Sequence, residues 1–95
     1  MINVGIVDDH AIVRSGLRQF LSEHVDLRVV GEAANGREAI DLVHQQDIQV
    51  LVMDLAMPGR SGIDVLAQLR AKAPHMGILV LSGYPEEHYA ISLIR

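Results

Sequence analysis

Two kinds of hydrophobic pattern alternate along this chain. Short runs rich in Val, Ile and Leu are typical of buried strands, and longer stretches with apolar residues three and four apart are typical of amphipathic helices. The short runs predict four strands, at Ile2–Val7, Leu27–Ala33, Ile48–Met53 and Ile78–Leu81. The helical spacing predicts four helices, which begin near Ala11, Arg37, Ile63 and Glu86. The last of these helices is predicted to extend from Glu86 to Arg95.

This strict alternation of strand and helix predicts an α/β fold. Consecutive β-α-β units form a parallel sheet with right-handed connections and helices on both faces. The first, third and fourth strands are almost uninterrupted in apolar residues, as expected for strands that are covered on both faces. The second strand contains Arg28 and Glu32, which favours a position at the edge of the sheet.

The fourth predicted strand, Ile78–Leu81, has no charged residue, and no later strand is predicted to pair with it. An exposed apolar edge readily pairs with other chains. We therefore expect a missing fifth strand, and an edge hidden by dimerisation, by segment exchange or by rearrangement of the last helix. Because 95 residues suffice for one domain, we interpret residues 1–95 as one domain that is incomplete at its C-terminal end.

Composition and charge narrow the class of protein. Hydrophobic residues make up 49% of the chain, which is too many for a disordered segment. Eight basic residues against twelve acidic ones give a net charge of −4, which disfavours nucleic-acid binding by this surface. There are no cysteines, so disulfides and zinc–thiolate sites are excluded. The chain has no apolar run of roughly 20 residues and no signal-peptide pattern, and we expect it to be cytoplasmic.

Polar residues follow three of the predicted strands. Asp8 and Asp9 follow the first strand, Asp54 the third and Ser82 the fourth. Ligands of open parallel sheets bind beyond the carboxyl ends of the strands, so these side chains are expected in one crevice. Carboxylates at close quarters repel one another, and a divalent cation relieves the repulsion; hard oxygen ligands favour Mg²⁺. A carboxylate beside Mg²⁺ can also act as a nucleophile toward phosphorus.

Each of these residues also has a purely structural interpretation. Asp9 could cap the helix that begins near Ala11. Asp54 could start a loop, and Ser82 could belong to a turn. Their joint occurrence at the ends of neighbouring strands favours a functional site over three unrelated local roles.

Three segments resemble the receiver domain of two-component response regulators: Val7–His10, Met53–Gly62 and Leu81–Tyr84. The stretch from Asp8 to Leu17 further resembles the branch whose receiver precedes a helix-turn-helix (LuxR-type) output domain. The resemblance covers the whole chain. It implies a flavodoxin-like, doubly wound parallel sheet with strand order 2-1-3-4, from which the fifth strand, the fifth helix and the DNA-binding output domain are absent.

The resemblance also implies roles for the acidic residues. Asp54 corresponds to the phosphoacceptor, which receives a phosphoryl group from a histidine kinase. Asp8 and Asp9 correspond to the acidic pair that holds Mg²⁺ together with Asp54 and the backbone carbonyl of Ala56. Such a protein is a phosphoacceptor rather than a turnover enzyme, with at most slow self-phosphorylation and self-dephosphorylation.

The remaining motif residues are implied to act on the phosphorylated state. Ser82 corresponds to the hydroxyl that binds a phosphoryl oxygen and relays the switch. Ala56 and Tyr84 lie where side chains modulate the lifetime of the phosphoryl group. Receivers also carry a lysine after the fifth strand, but the only lysine here is Lys72, in the predicted third helix, so this chain has no catalytic lysine. We therefore expect metal binding, poor phosphoryl acceptance and an incomplete switch.

Two other classes of function fit these residues less well, and a third remains open. Phosphatases that form an aspartyl phosphate resemble Asp-x-Asp at the nucleophile, whereas this chain has Asp54-Leu55-Ala56. A flavodoxin-like cofactor binder needs a phosphate-binding loop after the first strand, where this chain has two carboxylates. A receiver-like interaction or dimerisation module that is not phosphorylated in this form remains the alternative.

A histidine and two arginines near the acidic pair could also have functional roles. His10 could be a metal ligand or a phosphate relay, although a position at the mouth of the site is favoured. Arg14 and Arg18 could dock a kinase, although a solvated helix face is the default interpretation.

Overall fold

The computed structural model describes residues 1–54, 62–82 and 90–94. Its five strands are β1 (Ile2–Val7), β2 (Leu27–Ala33), β3 (Val50–Asp54), β4 (Gly77–Ser82) and β5 (Ala90–Ile94). Its three helices are α1 (Ala11–Ser22), α2 (Gly36–Gln45) and α3 (Gly62–Lys72). The predicted strands and helix starts as far as β4 agree with these bounds to within two residues, because each element has a clear hydrophobic period.

The strands form one sheet in the order β2-β1-β3-β4-β5, and the first four strands are parallel. The predicted order 2-1-3-4 is therefore confirmed, as is the position of β2 at an edge. Right-handed β-α-β connections place the helices on both faces of such a sheet.

The prediction of a helix from Glu86 to Arg95 is wrong for Ala90–Ile94, which form β5. This strand is antiparallel to β4, with Ser82 opposite Ala90 and Ile78 opposite Ile94. A short connection permits an antiparallel return, whereas a parallel strand needs a crossover of a dozen or more residues. Pairing with β4 satisfies backbone groups that a helix would leave unpaired, so the open edge is covered by rearrangement of the last predicted helix, which is one of the three expected outcomes. Residues 86–89 and 95 lie outside the described residues.

The hydrophobic core has two parts, one on each face of the sheet. The larger part lies under α2 and α3 and contains Leu51, Met53, Ile78, Val65 and Leu69, all fully buried. The smaller part lies under α1, whose half-buried Leu17 and Leu21 pack on Val4, Val52 and Leu81. The strand period of two assigns Val52 to one face and its neighbours Leu51 and Met53 to the other.

Two side chains differ from the predicted helix faces. In α1 the helical spacing of Val13, Leu17, Phe20 and Leu21 predicts one buried face, but Phe20 is 60% exposed and contacts His24 edge to face. In α3 the spacing of Ile63, Leu66, Leu69 and Ala73 predicts the buried face, but among the side chains described in this helix the fully buried ones are Val65 and Leu69. Packing against α2 decides this difference, because Val65 meets Gly36 at the start of that helix.

The start of α2 shows how local sequence positions a helix. The Asn35 side chain accepts a hydrogen bond from the Glu38 backbone N–H at 2.9 Å. The Glu38 carboxylate in turn accepts from the backbone N–H of Ala34, also at 2.9 Å. This reciprocal capping satisfies N–H groups that have no partner within the helix. In the described part of the chain, no helix is both long enough and apolar enough to cross a membrane.

Candidate metal and phosphoryl site

The register of the central strands brings Asp8 and Asp54 together. Val7 of β1 lies opposite Met53 of β3, so the next residues, Asp8 and Asp54, emerge side by side at the carboxyl edge of the sheet. Neighbouring strands lie about 4.8 Å apart, so two side chains on the same face at this level can bring their carboxylates together. Both residues are buried, with exposed fractions of 0% for Asp8 and 3% for Asp54.

Three hydrogen bonds, with β2, with α1 and within the loop after β1, hold Asp8 in place. Its backbone N–H donates to the carbonyl of Ala33 at 3.0 Å, which extends the pairing of β1 with β2 by one residue. Its carbonyl oxygen accepts from Arg14 Nη1 at 2.6 Å. Its Oδ1 accepts from the backbone N–H of His10 at 2.8 Å. Asp8 is therefore oriented by its neighbours before any ligand binds.

Asp9 does not cap α1. The capping residue is His10, whose side chain makes no capping hydrogen bond, and the turn before the helix is closed by Asp8 Oδ1. The structural interpretation of Asp9 as a helix cap is therefore wrong, because Asp8 is the residue that bonds the backbone of this turn. The Asp9 carboxylate, about a quarter exposed, lies on the side of the acidic cluster.

Four side chains form the acidic cluster: Asp8, Asp9, His10 and Asp54. Each offers one potential ligand atom, and these atoms all lie within 4.8 Å of one another. Asp8 Oδ2 and Asp9 Oδ1 are buried and accept no hydrogen bond from the described residues. A buried carboxylate oxygen without a donor is costly, and a bound cation removes that cost.

The donor set fits a hard divalent cation. Three carboxylates supply oxygen ligands on adjacent strand ends, and one or two carboxylates with several waters are the usual ligands of Mg²⁺. The cluster therefore could hold a divalent cation through Asp8, Asp9 and Asp54. This agrees with the donor chemistry expected from the sequence.

The other predicted site residues are only partly described. Ser82 is the last residue of β4, one position past Leu81, which lies opposite Asp54, so its backbone is at the same edge as the cluster. The Ser82 side chain lies outside the described part of the structure, as do Ala56 and Tyr84. Lys72 is the exposed last residue of α3.

Arg14 has a role that the sequence did not indicate. It was interpreted as part of a solvated face, yet its side chain is only 20% exposed. Besides its bond to the Asp8 carbonyl, its Nε donates to Glu32 Oε1 at 3.2 Å. Arg18, which is 47% exposed, pairs with the other oxygen of the same carboxylate at 3.1 Å. The only available signal was a cation in the first turn of the helix after an acidic pair.

Comparison with known proteins identifies the family. Residues 4–95 match the response regulator receiver domain. The chain is 36% identical over 90 residues to the nitrate/nitrite response regulator protein NarL of Escherichia coli, covering 95% of this chain and 42% of that protein. It is 38% identical over 95 residues to the oxygen regulatory protein NreC of Staphylococcus haemolyticus, covering 99% of this chain and 44% of NreC. The chain therefore spans less than half the length of these relatives.

Solved structures agree with this result. RcsB from Salmonella enterica serovar Typhimurium, bound to the promoter rprA in the presence of the phosphomimetic BeF3−, matches with a TM-score of 0.80 and 36% identity. That match covers 85% of this chain and 42% of RcsB. The response regulator domain of Thermotoga maritima CheB matches with a TM-score of 0.82 and 34% identity, over 95% of this chain and 66% of that one. This chain belongs to the response regulator receiver domain family.

Proposed function

We propose that this chain accepts a phosphoryl group on Asp54 from a histidine kinase, with Mg²⁺ held by Asp8, Asp9 and Asp54. One observation carries the proposal: the buried Asp54 lies beside the carboxylates of Asp8 and Asp9. Asp8 Oδ2 and Asp9 Oδ1 are buried and accept no hydrogen bond from the described residues. Membership of the receiver family supports the same assignment.

The chemistry follows from this placement. An Asp54 carboxylate oxygen attacks phosphorus, so that an O–P bond forms and the N–P bond to the kinase histidine breaks; the electron pair of that bond remains on the histidine nitrogen. Mg²⁺, when bound, neutralises charge on the transferring group. Asp8 and Asp9 hold the cation, and Asp8 is kept in position by its bonds to His10 and Arg14.

We further propose a signalling role rather than catalytic turnover. The relatives include response regulators, and RcsB was solved bound to a promoter. The net charge of −4 disfavours DNA binding by this domain, so DNA contact and control of transcription are assigned to a separate output domain. This role places the protein in the cytoplasm with a histidine kinase as its partner.

The test is Mg²⁺-dependent labelling with radioactive acetyl phosphate. We expect slow labelling of the unaltered chain, because Lys72, its only lysine, lies at the end of α3. Labelling should fall to background in Asp54→Asn, since an amide cannot form an acyl phosphate. The matched control is Asp64→Asn, which changes an exposed aspartate in the first turn of α3 and should label normally.

Two outcomes would contradict the proposal. Undiminished labelling of Asp54→Asn would place the phosphoryl group on another residue. A complete lack of labelling in the unaltered chain, with Mg²⁺ bound, would favour the alternative of a receiver-like interaction module that is not phosphorylated in this form.

A further inference from the structure

His10 lies against both carboxylates of the acidic pair. Its Nδ1 is 3.1 Å from Asp8 Oδ1 and 2.9 Å from Asp9 Oδ1. The rest of the ring faces outward, since the side chain is 61% exposed. The imidazole therefore covers the mouth of the cluster and directs one nitrogen into it.

One nitrogen cannot satisfy both oxygens with a single proton. Asp8 Oδ1 already accepts the His10 backbone N–H at 2.8 Å and has Nδ1 within hydrogen-bond distance. Asp9 Oδ1 is closer to Nδ1, at 2.9 Å, yet accepts no hydrogen bond from the described residues. Nδ1 thus lies within 3.1 Å of two carboxylate oxygens, a position from which an unprotonated ring nitrogen can share a bound cation with them.

The distances also suit a coordination sphere. Adjacent ligands of an octahedral cation, with metal–ligand bonds of about 2.1 Å, lie roughly 3.0 Å apart, which is √2 times the bond length. Nδ1 and Asp9 Oδ1 are separated by 2.9 Å. A small cation could therefore be bound by both atoms with little side-chain movement.

We propose that His10 Nδ1 is a further ligand of this cation site when the site holds a divalent transition metal, such as Mn²⁺ or Ni²⁺. The inference rests on the proposed cation site of Asp8, Asp9 and Asp54 and adds a fourth, nitrogen ligand to it. Imidazole binds transition metals well and adds no charge, whereas Mg²⁺ prefers oxygen. His10 therefore raises the affinity for the transition metal and leaves that for Mg²⁺ nearly unchanged.

An independent observation favours a cation here over a simple acidic surface. The Asp8 side chain is 1% exposed, and its Oδ2 has no hydrogen-bond donor among the described residues. A competing role for His10 is to hold the two carboxylates by hydrogen bonding alone. The two roles differ in one respect: a ligand nitrogen shares electron density with the metal, and a hydrogen-bonding ring does not.

The first test is pulsed electron paramagnetic resonance of the 95-residue chain with one equivalent of Mn²⁺ at pH 8, where an ordinary imidazole is neutral. We expect nitrogen coupling of a directly bound imidazole, which changes from the ¹⁴N to the ¹⁵N pattern when only histidine is labelled. The coupling should vanish in His10→Ala. It should persist in His44→Ala, which removes an exposed histidine near the end of α2.

The second test compares the dissociation constants of Ni²⁺ and Mg²⁺ by calorimetry. His10→Ala should weaken Ni²⁺ binding at least about tenfold and Mg²⁺ binding less than about threefold. Loss of a residue that only hydrogen-bonds to a metal ligand commonly costs tenfold or more in affinity, so loss of a ligand itself should cost at least as much. His44→Ala should change neither constant. Asp9→Asn should weaken both metals, because it removes a ligand of the underlying site.

The outcomes separate this inference from the proposed function. Binding of Mn²⁺ without histidine nitrogen coupling, or equal weakening of Ni²⁺ and Mg²⁺ by His10→Ala, would overturn the role of His10 and leave the carboxylate site intact. Failure of every metal to bind, or binding that Asp9→Asn does not weaken, would overturn the cation site and the inference together. Circular dichroism of His10→Ala establishes that any loss is not due to unfolding.

Discussion

Asp8 is held in the site by its backbone as much as by its carboxylate. The Ala33 carbonyl and Arg14 bind its N–H and its carbonyl oxygen, at 3.0 and 2.6 Å. Arg14 also bonds Glu32 of β2, so a single side chain connects the acidic loop, the first helix and the edge strand. Its guanidinium also places a positive charge beside an acidic cluster, which reduces the cost of gathering the carboxylates.

Arg14→Met should therefore lower the free energy of unfolding by about 1–2 kcal/mol, because it leaves the carbonyl of the buried Asp8 without its charged donor. It should also weaken Mg²⁺ binding, since Asp8 becomes less well oriented. Arg18→Met is the matched control: it removes the exposed partner of the same Glu32 and should cost less than about 0.5 kcal/mol. Urea denaturation with EDTA measures both variants, and equal losses would contradict the role given to Arg14.

At the level of elements, β1 is positioned by the close approach of side chains to its glycine. A Cβ on Gly5 would lie 2.8 Å from Ile48 Cδ1 and 2.9 Å from Leu51 Cδ1. Leu51 is fully buried and Ile48 nearly so. β1 therefore packs at Gly5 without room for a methyl group. Because Asp8 directly follows β1, the packing of this strand also affects the position of the Asp8 carboxylate at the edge of the sheet.

Gly5→Ala should destabilise the fold by about 1–3 kcal/mol, because overpacking forces buried side chains out of their preferred rotamers. Gly16→Ala is the control in α1, where a Cβ would meet no described atom within 4 Å. That change should stabilise by about 0.5–1 kcal/mol, since alanine is the better helix former. Thermal unfolding of the two variants checks the signs, and stabilisation by Gly5→Ala would contradict the packing.

At the level of the whole molecule, the sheet has two different edges. Its parallel edge strand β2 carries Arg28 and Glu32, and such charged residues discourage pairing with another chain. Its other edge is β5, which covers the apolar β4. The cluster lies near the middle of the sheet, at the carboxyl ends of β1 and β3, so its backbone support comes from strands that are paired on both sides.

Hydrogen exchange should reveal this arrangement. Amides of β1, β3 and β4 should exchange slowest, because these strands are paired on both sides, and those of β2 and β5 should be intermediate. Mass spectrometry of peptides that cover 90–94 provides the critical measurement. Exchange of this segment at the rate of an unstructured peptide would contradict the pairing of β5 with β4, while protection that rises with protein concentration would indicate pairing between copies.

Most of the fold could be predicted because local and global preferences agree in it. The runs at Ile2–Val7 and Leu27–Ala33 are apolar and bounded by turn residues, so their bounds required no tertiary information. The convergence of Asp8 and Asp54 was also predictable, since the carboxyl ends of parallel strands meet at one edge. Arg14 and His10 were less predictable, because their partners depend on the path of the loop before α1.

The order of residues was enough for the alternating elements, the parallel sheet and the acidic edge, because hydrophobic periodicity and strand-end chemistry are local properties. The sequence alone did not determine the conformation of Ala90–Ile94. Five apolar and small residues fit a helix face or a strand, and the choice depends on whether the open edge of β4 is available to pair with them. Nor did the sequence alone determine the contacts of His10, because its ring nitrogen meets the carboxylates of Asp8 and Asp9 only after the chain has folded.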